Sequence, residues 1–355
     1  MEGPARWQLT SDLATIRERA SAFLTNSAST RRDQKNTQQW SAEWTDIAEI
    51  HSQLAEGNIR KGRSDEATEA WFCALTAYEV ARRLVAEDDR NGIDIAARIE
   101  SCIQRLELSM ADRIERVRIA CGEPLELEAL YLSAGSGRTP AVICISMEQE
   151  PRAILFGRLL PAAFSRKLSL LIISHDDLLG GSRREFNMHL SNCLDYLLAR
   201  SDVDDGRIGV YGEGGVGALA TDFAAADSRL AAAVCDGGLW ASSRNSASIG
   251  WFSGAMEAID GPALSTQRSE KLRQLRCPVL VVVGGRGHVS ASEAVALQAN
   301  CMAESIDLEL AMAPIIRASG NDIENFVSVD DRTLKWLETK LGASQAMSST
   351  NSQFK

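Results

Sequence analysis

The residues from Arg207 to Ala220 are where chemistry is most legible. Ile208-Gly209-Val210-Tyr211 reads as an apolar strand, Gly212-Glu213-Gly214-Gly215 as a glycine-dense turn, and Val216-Gly217-Ala218-Leu219-Ala220 as the start of an Ala-rich helix. A strand that turns sharply into a helix can raise one residue at its tip, as in the G-x-S-x-G arrangement whose serine attacks a carbonyl carbon. The spacing puts Gly214 at that tip. Glycine takes up strained tip geometry at little cost, so the turn can persist without a nucleophile. The next amide, Gly215 N–H, is expected to open the helix and favour an anionic oxygen, as an enolate would present. The plainer expectation is that Gly214 and Gly215 only let helix and strand pack closely.

Other candidates stand where predicted strands end, which is where ligands bind in parallel sheets. His175 closes Leu170-Leu171-Ile172-Ile173, Asp236 closes Ala233-Val234-Cys235, and His288 follows Leu280-Val281-Val282-Val283. Glu213 directly precedes the turn glycine. An imidazole oriented by a carboxylate can act as a general base, so His175 or His288 with Asp236 is the expected pair. Each has a structural alternative: a turn cap for His175, a solvated loop for His288, an N-cap for Asp236 and plain turn structure for Glu213. His51 and His189 fall on predicted helices and read as structural. The histidines lack metal-ligand spacing, so no metal site is expected. With no G-x-G-x-x-G or G-x-x-x-x-G-K-[ST] run, no phosphate cofactor is expected either. Trp240, Trp251 and Phe252 suggest an apolar pocket wall and hence a hydrophobic ligand.

These groups need elements to hold them, and the periodicity changes once along the chain. From about residue 8 to 115 apolar residues recur at helical spacing, as in Trp44, Ile47, Ala48 and in Ala67, Ala70, Trp71, Ala74. Gly57 and Gly62 mark a turn, and the run Glu87 to Gly92 marks a break before a further helix near Ile93 to Leu108. The Ala-rich pair is tetratricopeptide-like in pattern, and one such unit cannot cover its own apolar face. Beyond 115, Arg116 to Ile119 and Leu125 to Leu132 alternate as antiparallel strands do. Short apolar runs then follow at 141–145, 168–173, 208–211, 231–235, 278–283 and 306–312, separated by helical stretches. That alternation predicts a doubly wound, mostly parallel α/β sheet over 116–341, behind an all-helical domain over 1–115. Residues 342–355, rich in Ser, Gln and Asn, are expected to be disordered.

Composition narrows the partners. A net charge of −10 and a pI near 5.1 disfavour nucleic acid and anionic membranes. The start of the chain lacks a signal-peptide layout, no long apolar run is present, and the eight scattered cysteines have no CxxC pair. A cytoplasmic protein with buried, reduced thiols is therefore expected, and a homodimer is compatible with the chain.

Strand order, spacing and the Gly212–Gly217 turn together resemble the α/β-hydrolase superfamily. With Trp44 to Ala48, Gly62-Arg63 and Ala67 to Ala70, residues 40–341 resemble its FrsA-like or 2,6-dihydroxypseudooxynicotine-hydrolase-like branch, which carries a helical N-terminal cap. The resemblance implies a serine where Gly214 stands, an acid where Gly287 stands, and a histidine within Ala313 to Phe326, where this chain has none. It also implies a glycine-rich oxyanion segment, where this chain reads Ser146-Met147-Glu148-Gln149-Glu150, with Met147 expected to touch substrate. The expected function is accordingly a cofactor-free, non-hydrolytic enzyme: elimination, cyclisation or rearrangement of a hydrophobic, carbonyl-bearing, polyketide-like biosynthetic intermediate. The alternatives are an inert pseudo-hydrolase that binds a ligand or scaffolds a partner, and an atypical hydrolase whose His–carboxylate pair activates water.

Overall fold

The computed structural model describes residues 12–26, 34–85, 89–122, 126–135, 137–178, 183–237, 273–284, 291–313, 315–317 and 322–351. The chain divides into two compact units. The first comprises Met1–Ala111 with Gly157–Pro161 and Ile316–Val327; the second comprises Asp112–Phe156, Ala162–Ile315 and Ser328–Lys355.

The first unit is built on α1 (Leu13–Asn26), α2 (Gln34–Arg60), α3 (Ser64–Arg83) and α4 (Arg90–Ser109). Alanines 67, 70, 74, 77 and 81 make α3 thin enough to be buried along most of its length. Ser41 Oγ on α2 donates to the Ala81 carbonyl of α3 at 3.0 Å, so a polar group buried in this seam is satisfied. Gly62, at φ 70°, makes the turn between α2 and α3. The acidic break ahead of α4 acts as its cap: Asp89 accepts from Asn91 N at 3.2 Å. Buried within α3, Glu79 binds Arg82 Nε at 2.8 Å and Arg83 Nε at 2.7 Å. These guanidinium groups outweigh the burial that opposes its charge and hold the carboxyl well below the usual range.

The second unit is a sheet whose strands are β1 (Ile114–Ala120), β2 (Glu126–Leu132), β3 (Thr139–Ile145), β4 (Ser169–Ile173), β5 (Val203–Glu213), β6 (Ala232–Asp236), β7 (Val279–Val283) and β8 (Leu308–Met312). Their order is β1-β2-β4-β3-β5-β6-β7-β8. β1–β2 and β2–β4 pair antiparallel, and every pair from β4–β3 through β7–β8 is parallel. β3, β4, β6 and β7, and β5 from Ile208 onward, are buried throughout or nearly so, which is why they read as unbroken apolar runs. Helices α5 (Arg152–Ala163), α6 (His175–Leu178), α7 (Arg183–Leu198), α8 (Gly215–Ala226), α9 (Ala291–Ala303) and α10 (Phe326–Asn351) follow or separate them.

Helix α10 continues to Asn351, through the polar stretch that follows Leu341. Ala343, Gln345, Ala346 and Met347 are good helix formers and no proline interrupts them, so a polar composition alone does not stop the helix. A two-stranded ribbon, β9 (Ile315–Arg317) with β10 (Asp322–Glu324), occupies a stretch with no strand period. All eight cysteines are buried, and none is joined in a disulfide. Among the described residues, no helix is long and apolar enough to cross a membrane.

Candidate functional site

The turn between β5 and α8 has the geometry its glycines suggest. Gly214 sits at φ 53°, ψ −128°, a conformation that only glycine adopts without strain. Its N–H donates to the Asp236 carbonyl at 2.6 Å and its carbonyl accepts from Gly217 N at 3.2 Å. The turn is thereby tied to the end of β6 on one side and to the first turn of α8 on the other.

Close packing falls to different glycines from those expected. A Cβ on Gly212 would lie 2.8 Å from the Val216 carbonyl oxygen and 3.0 Å from Ala220 Cβ; one on Gly217 would lie 2.8 Å from Cys235 Sγ. A Cβ on Gly215 would meet nothing within 4 Å. Gly212 and Gly217 therefore bring helix and strands together, while Gly215 is exposed at the start of α8. Its N–H has no hydrogen-bond partner among the described residues, as the first amides of a helix commonly do not. At the tip itself there is no side chain and hence no nucleophile.

Three polar residues meet beside this turn. Glu213 and Asp236 are register partners across β5 and β6. Tyr211, two residues before Glu213 on the same face, donates to Glu213 Oε1 and lies 3.1 Å from Asp236 Oδ2. All three are buried, the acids at 0% and 1% exposure, so no carboxylate oxygen here faces open solvent. A phenol carries a single proton, so its contact with the second carboxyl is a full hydrogen bond only when that carboxyl is protonated. Two of these residues were expected from the sequence. Tyr211 was not, because a tyrosine inside an apolar run reads as core; its i, i+2 spacing to Glu213 was the available signal.

The expected His175–Asp236 pair is not formed. β4 and β6 are separated by β3 and β5, which puts their ends about 14 Å apart along the sheet, beyond a direct imidazole–carboxylate bond. His175 Nδ1 instead faces Asp176 Oδ1 at 3.4 Å, its ring approaches Phe186, and its backbone N–H meets Ser146 Oγ at 3.4 Å. Ser174 Oγ accepts from Asp176 N at 3.3 Å, so the side chain that caps this short turn is Ser174, and His175 is the turn's first residue.

The segment after β3 is a closed turn. Ser146 Oγ donates to the Glu150 carbonyl at 2.7 Å, Glu150 N bonds the Met147 carbonyl at 3.1 Å, and Gln149 takes φ 62° with its N–H on Asp176 Oδ1. Met147 is half-buried in this turn. A non-glycine residue at positive φ stores strain, here held by the Asp176 contact. His288, Trp240, Trp251 and Phe252 lie outside the described residues. Among the described residues, no cluster of three His, Cys, Asp or Glu side chains is placed to hold a metal ion.

No family model matches the chain, and no curated protein matches it by sequence. Solved structures do. The crystal structure of a 2,6-dihydroxy-pseudo-oxynicotine hydrolase aligns with 93% of this chain and 96% of its own at 16% identity and a TM-score of 0.58. AbyA5 aligns over 88% of each chain at 14% identity and a TM-score of 0.47. Est1E from Butyrivibrio proteoclasticus aligns with 64% of this chain and 99% of its own, at 14% and 0.47. The strand order, the β5–α8 turn and the first of these alignments define the class: this chain has the α/β-hydrolase fold. Within that class it is a form with a helical N-terminal unit and glycine at the tip of the turn.

Proposed function

We propose that this chain is a cofactor-free enzyme that uses the α/β-hydrolase frame for a non-hydrolytic step. The reaction would be elimination, cyclisation or rearrangement of a hydrophobic, carbonyl-bearing, polyketide-like small molecule. The observation that carries the reading is the Gly214–Gly215 turn: its sharp geometry is kept, glycine stands at its tip, and the helix-opening amide has no partner among the described residues. A free amide at a helix N-terminus stabilises an enolate or enol oxygen without any nucleophile beside it. The Tyr211–Glu213–Asp236 cluster supplies protons and carboxylates next to the turn, bonded to it through the Asp236 carbonyl. His288 follows β7 in sequence and is the remaining expected imidazole base.

A second reading, a pseudo-hydrolase that binds without turnover, is favoured by the full burial of Tyr211, Glu213 and Asp236. One experiment separates the readings. The protein is incubated with a panel of β-dicarbonyl polyketide mimics and the products are weighed by mass spectrometry. Isomeric or fragmented products are expected. Products that gain the mass of water would return the chain to the hydrolases, and binding without turnover would establish the inert form. The companion variant is Gly215→Pro, which removes the N–H at a position where proline suits a helix start. It should slow turnover by about 10²–10³-fold, while Gly215→Ala, which keeps the donor, should stay near wild type.

A further inference from the structure

The helical unit carries an apolar groove that the reading above does not use. It has a volume of about 480 Å³ and lies between the last turns of α2 and α4, with Trp71 of α3 in its wall. Glu56, Ile59 and Arg60 follow one another at i, i+3 and i+4 on α2, and Arg105 and Leu108 at i and i+3 on α4, so each set presents a single helix face. Leu108 is 84% exposed and Ile59 39%, unusual for large aliphatic side chains flanking one depression.

Its charge is unbalanced. Arg105 is bridged to Glu56 across the groove, whereas Arg60 has no ion-pair partner among the described residues. One positive charge therefore remains beside an apolar cleft. The wall also contains an unmet donor: Trp71 is buried, and its Nε1–H has no acceptor among the described residues. The volume falls within the roughly 300–1,000 Å³ range of small-ligand sites.

We propose that this groove binds a small amphipathic carboxylate, an aliphatic or aryl monocarboxylic acid. Its apolar body lies against Ile59, Trp71 and Leu108, and its carboxylate pairs with Arg60. The acid brings a negative charge to Arg60, which Glu56 does not neutralise because it is bridged to Arg105, and acceptor oxygens to a wall with an unmet Trp71 donor. All six residues belong to the helical unit, so the proposal stands apart from the chemistry at the β5–α8 turn.

The test is calorimetric titration of the full-length protein with octanoate, alongside octanol and octylamine. Saturable, one-to-one octanoate binding is expected, with octanol weaker and octylamine weakest. Leu108→Asp should weaken octanoate at least tenfold. Arg60→Gln should weaken it about threefold and leave octanol unchanged, a surface ion pair being worth little more. Both residues are exposed, and Leu108→Ala repeats the first test without a new charge. The proposal is overturned if octanoate fails to saturate, if Leu108→Asp and Leu108→Ala bind as wild type does, or if octylamine binds as tightly as octanoate.

Discussion

Glu79 in the helical unit and the Glu213–Asp236 pair in the sheet unit are buried acids handled in different ways. Glu79 sits one helical turn from Arg82 and Arg83, and its carboxylate is bonded by both guanidinium groups at 2.7–3.0 Å. Glu213 and Asp236 meet across two strands on a neutral phenol. The hydrogen bonds of the first arrangement are local: they join three side chains spaced three and four residues apart on one helix. The second needs two strands far apart in sequence and stands at their carboxyl ends, beside a turn that only glycine holds without strain. An acid stabilised by its own helix has been given a structural task. A pair of buried acids sharing a phenol instead stands at the carboxyl edge of a parallel sheet, where ligands bind in folds of this kind.

Breaking each arrangement should show the difference, most strongly at Glu79. Glu79→Ala takes away the carboxylate that Arg82 and Arg83 share, and should destabilise the protein by about 3–5 kcal/mol, the cost of removing one partner of a buried ion pair. A thermal melt checks this directly. A shift no larger than an exposed Glu→Ala gives would mean the guanidinium groups stand without it. Tyr211→Phe should cost less, about 1–3 kcal/mol, for the donor lost to buried acids. A thermal melt of this variant checks it, and a deficit no larger than an exposed Tyr→Phe gives would reduce Tyr211 to packing.

How far the sequence foretold these two regions follows from the range of the contacts. The strands were legible because β3, β4, β6, β7 and β5 from Ile208 onward are buried and so appear as unbroken apolar runs. The turn was legible because Gly212, Gly214 and Gly217 each answer a backbone demand that leaves a mark in the residue type. What could not be read was lateral order. His175 and Asp236 both end apolar strands and look interchangeable as partners, until the sheet places β3 and β5 between them. Neighbouring strands, not neighbouring motifs, decide which acid an imidazole meets, and the nearest acid to His175 proved to be the next residue. Tyr211 escaped notice for the related reason that only pairing across β5 and β6 turns a core-like tyrosine into a bridge. The ribbon of β9 and β10 was too short to show a period.

A third buried ionisable group sharpens the comparison by a smaller amount. His51 on α2 is buried, and its Nδ1 has no hydrogen-bond partner among the described residues. Burial, followed by the positive charge of Arg19, lowers its proton affinity from the ordinary value of 6.5. This is a third solution to burial, in which the group gives up its charge. In the unfolded chain His51 takes up its proton as pH drops through 6.5, while the folded protein does so only at lower pH. Over that interval the unfolded state binds more protons, so stability falls as pH falls, and it levels off once the folded form is protonated too. Glu79 acts in a separate window. Its stabilising charge is intact above 4.5 and is lost only as pH drops below that value towards its depressed folded one. His51→Leu should therefore narrow the difference in melting temperature between about pH 8 and about pH 5.5, a range in which Glu79 stays ionised. A difference unchanged by the substitution would show that His51 reaches water in the folded state.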